Sequence, residues 1–175
     1  YKTYTIFPIH LFNSIILGIT NLIFTYLGII LIDRIGRKKL MLIGSIGYII
    51  SLTIIALSIK SNPFGINTSI FIFSFIASHA VGQGTVIWVF ISEIFPNRLR
   101  SKGQAFGSSV HWVLAAVIPA LTPYLLNSIG SQIIFFFFAF MMFIQLLFVI
   151  FMMPETKGIS IELLFKEVLE SKKQN

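Results

Sequence analysis

Long, almost unbroken apolar runs alternate with short polar breaks along most of the chain. Each run reaches about 20 residues, the length that an α-helix needs to cross the hydrocarbon core of a bilayer. The breaks carry turn-forming residues, in the segments DRIGRKK, KSNPFGIN, FPNRLRSKG and LNSIGSQ. The pattern predicts five membrane-spanning helices, over residues 9–32, 40–59, 68–92, 104–126 and 131–153.

The segment 154–175 has a different pattern. Between Ile161 and Leu169, apolar residues recur at helical spacing and charged residues fill the other face. We predict a cytoplasmic tail with a short amphipathic helix that lies under the helix bundle or on the inner leaflet, and a solvated tail is the alternative. The expected fold is therefore an all-α membrane protein, with five transmembrane helices and a C-terminal amphipathic helix.

Composition supports a lipid environment. Hydrophobic residues make up 56% of the chain and charged residues only 11%, whereas soluble domains average about 25% charged residues. The absence of cysteine excludes a disulfide framework and a thiolate metal site. We expect no cofactor and no metal. The net charge of +7 is concentrated in short loops between the apolar runs, which indicates membrane topology rather than a nucleic-acid partner.

The basic residues predict the orientation of the spans. Eleven of the thirteen lysines and arginines lie in the loop after span one, the loop after span three and the tail. Because cytoplasmic loops are enriched in lysine and arginine, these three segments are expected to be cytoplasmic, and the N-terminus outside. A multi-pass protein of a bacterial-type inner (plasma) membrane is the expected location.

Spans one, three and four contain the polar residues that indicate a pathway. Span one carries a stripe that either permits close helix packing or lines a wet cavity: Ser14, Gly18, Asn21, Thr25 and Gly28. A buried asparagine needs hydrogen-bond partners, which makes Asn21 a candidate contact for water or substrate. In span five, the segment IIFFFFAFMMFIQLLFVIFMM has Gln145 as its only strongly polar side chain, and the span is expected to face lipid.

Span three carries Gly84 and Trp88 on one face, with His79 and Gln83 on a neighbouring polar face. Trp88 is either a pathway residue or an aromatic residue of the membrane interface. In span four, His111 precedes Trp112 and is either a pathway residue or a histidine bonded within the helix bundle. Two prolines, Pro119 and Pro123, are expected to break the outer half of span four, as where a helix bends around a cavity.

Three polar motifs, DRIGRKK (33–39), SEIFPNRLRSKG (92–103) and PETKG (154–158), resemble signatures of the sugar porter family in the major facilitator superfamily. The resemblance extends from about His10 to Glu162. It is a resemblance to the second half of such a transporter, in which spans one to five are similar to helices eight to twelve. It implies a partial major-facilitator-type helical bundle, a fragment without the N-terminal half and helix seven.

The resemblance also implies site residues. The positions similar to family sugar-binding residues are Asn21, Gly84, Trp88, His111 and Trp112. Indole faces suit the apolar patches of a sugar ring and amides suit its hydroxyls. The family usually has an amide before the second tryptophan, where this chain has His111, which leaves the substrate open. Gating roles at the cytoplasmic face are implied for Asp33, Arg34, Arg37, Glu93, Arg98, Arg100 and Glu155.

The function implied is transport of a monosaccharide by alternating access, with sugar/proton symport as the expected coupling. The implied partners are the sugar, protons, the lipid bilayer and the missing N-terminal half, which would supply an acidic partner for Arg100. The alternatives are a truncated half-protein that does not transport, or a facilitator for a polyol or another small polar solute. An enzyme is not expected, because Ser108, Ser109 and His111 on one helix do not form a nucleophile–base pair with an orienting acid.

Overall fold

The computed structural model of the protein describes residues 6–61 and 66–158. Its helices are α1 (Ile6–Ile35), α2 (Arg37–Ser61), α3 (Ile66–His79), α4 (Thr85–Ile94), α5 (Arg100–Ile129) and α6 (Ser131–Phe151). A π-helical turn, Ala80–Gly84, joins α3 to α4. Within the described residues, five helical segments are long and apolar enough to cross a membrane, which confirms the expected all-α membrane fold. The amphipathic helix predicted in the tail lies outside the described residues.

Several helices differ in extent from the apolar runs that predict them. Helix α5 begins at Arg100 rather than at residue 104, because the polar segment RSKGQ continues the helix beyond the apolar run. The helix is also continuous through Pro119 and Pro123, so the expected break in its outer half is wrong. A proline removes one backbone donor and crowds the preceding turn, yet α5 continues on both sides of each proline.

Helix α2 lies at the centre of the packed region, between α6 on one side and α3 on the other. The π-helical turn packs against α1 and α2, and α5 has its main neighbour in α4. Residues of α5 are almost all exposed, whereas α2 buries residues along most of its length. The apolar core lies toward the helix ends that carry the charged motifs, near the short connections between helices. Its buried residues are Ile32, Leu40, Met41, Val86, Phe90, Val149 and Met153.

A close contact between two glycines fixes the π-helical turn against α2. A Cβ atom on Gly44 would stand 2.6 Å from the Cα of Gly82, closer than any real contact of this kind. A π-helical turn leaves part of the regular hydrogen-bond ladder unpaired. Here the Thr85 hydroxyl donates to the Ala80 carbonyl at 2.7 Å and satisfies that oxygen inside the bundle.

Helix α6 exposes most of its apolar side chains, as expected for a lipid-facing helix, but Gln145 lies on the side that packs against α2. The Gln145 amide nitrogen donates to the Ser45 hydroxyl oxygen of α2 at 3.3 Å, and the same oxygen accepts from the Gln83 amide at 3.1 Å. Ser45 itself is fully buried and donates to the Met41 carbonyl. A lone glutamine in an apolar run therefore marks the side of α6 that packs against protein, because an amide in lipid would lack partners.

Candidate functional site

A cluster of charged side chains joins the start of α2, the end of α4 and the segment after α6. We call it the charged junction and define it as Asp33, Arg37, Glu93, Glu155 and Thr156. Its central contact is the two-pronged ion pair of Arg37 with Glu93, in which Nε and Nη2 donate to the two carboxylate oxygens at 3.0 and 2.7 Å. Thr156 donates its hydroxyl hydrogen to Glu93 Oε2 at 2.6 Å. The two-pronged geometry of the Arg37–Glu93 pair is the strong form of an arginine–carboxylate contact.

The Arg37–Glu93 pair is partly withdrawn from solvent. The side chains of Arg37 and Glu93 are 11% and 27% exposed, whereas Asp33, which approaches Arg37 Nη1 at 3.1 Å, is 78% exposed. Removing Arg37 or Glu93 would leave the other charge partly buried without its ion-pair partner. Breaking the Arg37–Glu93 pair is therefore expected to cost more folding free energy than breaking the exposed Arg37–Asp33 pair.

Glu155 binds the backbone at the start of α2. Its two carboxylate oxygens accept from the backbone N–H groups of Arg37 at 2.9 Å and Lys38 at 3.1 Å. The first N–H groups of a helix have no partner within the helix, and the helix dipole favours a negative charge there. The carboxylate therefore ties the end of α6 to the start of α2, although 118 residues separate it from Arg37.

Gly36 makes this contact possible. Its φ angle of +97° lies in the region that glycine adopts readily, and it reverses the chain between α1 and α2. A Cβ atom at this position would also collide with the Glu155 carboxylate. The motif DRIGRKK thus needs its glycine for both conformation and space.

The other residues of the charged motifs lie around the junction. Arg34 is exposed, and its carbonyl accepts from Lys157 Nζ at 2.7 Å. Arg98 is exposed in the connection between α4 and α5. Arg100, the first residue of α5, has a buried Nε that finds no hydrogen-bond partner within the part of the chain that the structure describes. The structure therefore joins Arg37, Glu93 and Glu155 and leaves Arg100 unsatisfied.

A second cluster is aromatic and lies where α4 meets α5. The His111 ring is edge-to-face with the Trp88 ring, with centroids 5.0 Å apart and planes at 76°. It makes a similar contact with Trp112 at 5.5 Å and 79°. The exposed fractions of Trp88 and Trp112 are 39% and 66%, so both indoles retain surface for another molecule. We call Trp88, His111 and Trp112 the aromatic cluster.

The remaining sequence-predicted site residues stand apart from this cluster. Asn21 is exposed on α1. Gly84 ends the π-helical turn, where a Cβ atom would stand 3.2 Å from the His79 carbonyl oxygen.

Two features were not anticipated from the sequence. One is the buried polar contact of Gln83, Ser45 and Gln145, in which Gln83 Oε1 has no hydrogen-bond partner among the described residues. The other is an open cleft of about 560 Å³ between α1, α2 and α3, lined by Thr20, Phe24, Ile43, Gly44, Phe73, Ser74, Ala77, Ser78 and Val81. The two glutamines in apolar runs were the available signal for the first, and nothing in the sequence pointed to the second.

Within the described residues, the five apolar helices define a multi-pass membrane protein. Comparison with known families makes this specific, because residues 5–167 match the family described as sugar (and other) transporter. The chain belongs to the sugar porter family of the major facilitator superfamily.

Similar proteins agree with this assignment. The arabinose-proton symporter of Bacillus subtilis is 36% identical over 151 residues, which are 86% of this chain and 32% of that protein. The glucose transporter GlcP of Staphylococcus epidermidis is 32% identical over 90% of this chain and 36% of its own length. An inward-open structure of the xylose transporter XylE from E. coli superimposes with a TM-score of 0.81 at 31% identity, covering 89% of this chain and 35% of that one. The chain thus spans about a third of the length of these relatives.

Proposed function

We propose that this chain is the C-terminal part of a transporter that moves a monosaccharide across the membrane by alternating access, in symport with protons. The names of two relatives, an arabinose-proton symporter and a proton:xylose symporter, support the substrate class and the coupling. We refer to the longer protein that would contain this segment as the full-length transporter. Its N-terminal half would supply the rest of the pathway and the carboxylate that carries the proton.

The observation that carries the proposal is that α4 bears both clusters. Trp88 belongs to the aromatic cluster and Glu93 to the charged junction. Five residues of helix separate them, which is roughly 7.5 Å along the axis. A sugar that changes the position of Trp88 would therefore move Glu93 relative to Arg37, because a single helix of ten residues connects them.

The aromatic cluster has the chemistry of a sugar site. The indoles of Trp88 and Trp112 present apolar surface for the C–H patches of a pyranose ring, and His111 between them offers a hydrogen-bond donor or acceptor. Asn21, on α1, would add an amide to the same ligand once the pathway is complete. Gly84 would let the ligand approach the backbone at the π-helical turn.

The charged junction would act as the cytoplasmic gate. Closure would hold Arg37 against Glu93, and opening to the cytoplasm would separate them. The unsatisfied Nε of Arg100 supports a second element of this gate, in which a carboxylate of the N-terminal half pairs with Arg100. In this orientation the charged motifs are cytoplasmic and the start of α1 is outside, in agreement with the distribution of lysine and arginine.

Radiolabelled uptake into proteoliposomes tests the function. The full-length transporter should accumulate one of a panel of pentoses, hexoses and inositol when a proton gradient is imposed, and Trp88→Ala should abolish most of that uptake. Phe151→Ala is the matched control, because Phe151 is an aromatic residue with 79% of its surface exposed at the end of α6. Normal uptake by the Trp88→Ala variant would contradict the site assignment.

A further inference from the structure

Gln83 is a buried polar side chain on the segment that leads to the proposed sugar site. It is 9% exposed and lies in the π-helical turn, five residues before Trp88. The backbone stays helical from Gly84 into Thr85, so the turn and α4 form one continuous helix. Five residues correspond to roughly 7.5 Å along a helix axis. A rotation of the turn is therefore passed directly to Trp88.

The close contacts of this segment set its distance from the neighbouring helices. On the α2 side, a Cβ atom on Gly44 would stand 2.6 Å from the Gly82 Cα. On the α1 side, a Cβ atom on Gly28 would stand 2.6 Å from the Thr85 hydroxyl oxygen. Glycines allow helices to approach closely, but they present no side chain that would fix a rotation. Apolar packing is also non-directional, so it leaves the rotation of the segment to polar contacts.

The hydrogen bond from Gln83 to α2 has the required direction. The Gln83 amide nitrogen donates to the Ser45 hydroxyl oxygen at 3.1 Å, and Ser45 is fully buried. Ser45 also donates to the Met41 carbonyl and accepts from Gln145. A hydroxyl has one donor and two acceptor positions, and these three bonds use all of them. Gln83 is therefore bound to an acceptor whose own orientation is fixed.

The amide of Gln83 carries an energetic cost. Its Oε1 is buried and has no hydrogen-bond partner within residues 6–61 and 66–158. A buried acceptor without a partner destabilises a fold, and an apolar side chain of similar volume would avoid this penalty. Stability alone therefore does not explain an amide at this position, whereas orientation of the turn does.

Trp88 depends on this orientation because little packs around it. It is 39% exposed, and it meets the His111 ring on α5, a helix whose residues are almost all exposed. The Arg37–Glu93 pair also restrains α4, but that pair separates in the proposed opening of the gate. The hydrogen bond of Gln83 lies inside the bundle and is independent of the gate.

We infer that Gln83 is a positioning residue of the sugar site, whose hydrogen bond to Ser45 holds the Trp88 indole in the orientation that binds sugar. The inference rests on the proposed function and adds a residue that acts through Trp88 rather than on the ligand. Without the bond, Trp88 would adopt the binding orientation for only a fraction of the time, and the apparent affinity would fall by that fraction. The maximum rate should change little, because bound sugar selects the correct orientation.

Uptake kinetics of the full-length transporter in proteoliposomes test the inference, with the radiolabelled sugar of the panel that the unaltered protein accumulates. Gln83→Met replaces the amide by an apolar side chain of similar length. The apparent KM should rise about three- to tenfold, the range expected for the loss of one hydrogen bond, with little change in the maximum rate. The unfolding temperature should not fall, because the unsatisfied Oε1 is removed together with the bond.

Gln145→Met is the matched control. Gln145 donates to the same Ser45 oxygen at 3.3 Å, but it belongs to α6, which carries no residue of the proposed sugar site. We expect its KM to equal that of the unaltered protein. An equal rise of the KM in Gln83→Met and Gln145→Met would show that both amides serve only the packing of the bundle, and it would overturn the inference.

Ser45→Ala removes the acceptor instead of the donor. It should raise the KM about as much as Gln83→Met, and the double variant should raise it no further, because both substitutions break the same bond. Additive increases would contradict the inference. If Gln83→Met elutes as an aggregate in size-exclusion chromatography, the KM of Ser45→Ala against that of Gln145→Met decides the question.

Failure of the inference can be told apart from failure of the proposed function. An unchanged KM in Gln83→Met, with normal sugar uptake, would overturn the inference and leave the proposed function intact. Absence of uptake of every sugar in the panel by the unaltered transporter would overturn both.

Discussion

Helices α2 and α5 are of similar length, but they are placed very differently. Helix α2 starts at Arg37 with its first N–H groups bound by Glu155, and it is packed between α6 and α3. Helix α5 starts at Arg100, whose buried Nε lacks a partner within the described residues, and it exposes nearly all of its length. Each apolar run is long enough to span a membrane, so hydropathy alone does not separate them.

The difference between α2 and α5 separates a helix that is packed within this chain from a helix that exposes most of its length. At the start of α2, the Arg37 side chain and the first N–H groups of the helix are bound by Glu93 and Glu155 of the same chain. Along α5, the Arg100 Nε without a partner among the described residues and the exposed aromatic cluster lie where the proposed N-terminal half would pack. Lipid can cover the exposed apolar side chains of α5, but the buried Nε of Arg100 requires a hydrogen-bond acceptor.

The largest expected effect comes from breaking the packing of α2. Gly44→Ala would place a Cβ atom against the Gly82 backbone, which cannot move away as a flexible side chain could. We expect it to lower the stability of the folded protein by about 2–3 kcal/mol, the usual cost of overpacking. Thermal unfolding of the purified full-length transporter in detergent measures the effect.

Gly18→Ala is the matched control for this substitution. Gly18 is also a glycine within a span, on α1, but a Cβ atom there would meet nothing within 4 Å. We expect almost no change in its unfolding temperature. Equal unfolding temperatures for the two variants would show that the Gly44–Gly82 contact is not tight in the protein.

The next largest effect concerns the gate at the start of α2. Arg37→Ala leaves Glu93 without its main partner and should favour the inward-open state by about 1–3 kcal/mol. Labelling of an introduced cysteine on the cytoplasmic side of the pathway, with an impermeant thiol reagent, reports this shift. Lys39→Ala removes a nearby exposed cation and should leave labelling unchanged. A labelling rate that does not respond to Arg37→Ala would sink the gating role.

A smaller effect is expected from the cap of α2. Glu155→Gln removes the charge that accepts from the Arg37 and Lys38 N–H groups, and it should cost about 1 kcal/mol. Asp33→Asn neutralises a carboxylate that is 78% exposed at the same junction and should cost less. The unfolding temperatures of the two variants, measured side by side, check the order. The reverse order would mean that Glu155 does not anchor α2.

Much of the fold could be predicted from the sequence because a bilayer imposes simple requirements. The five spans follow from the length of the apolar runs, and the charged motifs at their ends are readable as turns. Helix ends were less predictable, since charged residues such as Arg100 continue a helix once it reaches the membrane surface. The prolines of α5 misled the prediction, because a proline costs hydrogen bonds but need not interrupt the helix.

The contacts that organise the site depend on tertiary packing and could not be predicted from local pattern. Nothing near Arg37 in sequence indicates that a glutamate 118 residues away binds its N–H group. The π-helical turn exists where Gly82 meets Gly44 and where Thr85 can satisfy a carbonyl, which requires the neighbouring helix to be in place. The hydropathy of span five predicts a peripheral helix but not the partner of Gln145, because the Ser45 hydroxyl that accepts from its amide lies 100 residues away in the sequence.

The most direct test of the account is whether Arg100 pairs with a carboxylate outside this segment. Arg100→Lys in the full-length transporter introduces an amine that a zero-length carbodiimide reagent can couple to a neighbouring carboxylate, and mass spectrometry then identifies the joined peptides. The account predicts a link from residue 100 to an acidic residue of the N-terminal half. A link to Asp33, Glu93 or Glu155, or no link at all, would contradict the claim that α5 is completed by a second half of the transporter.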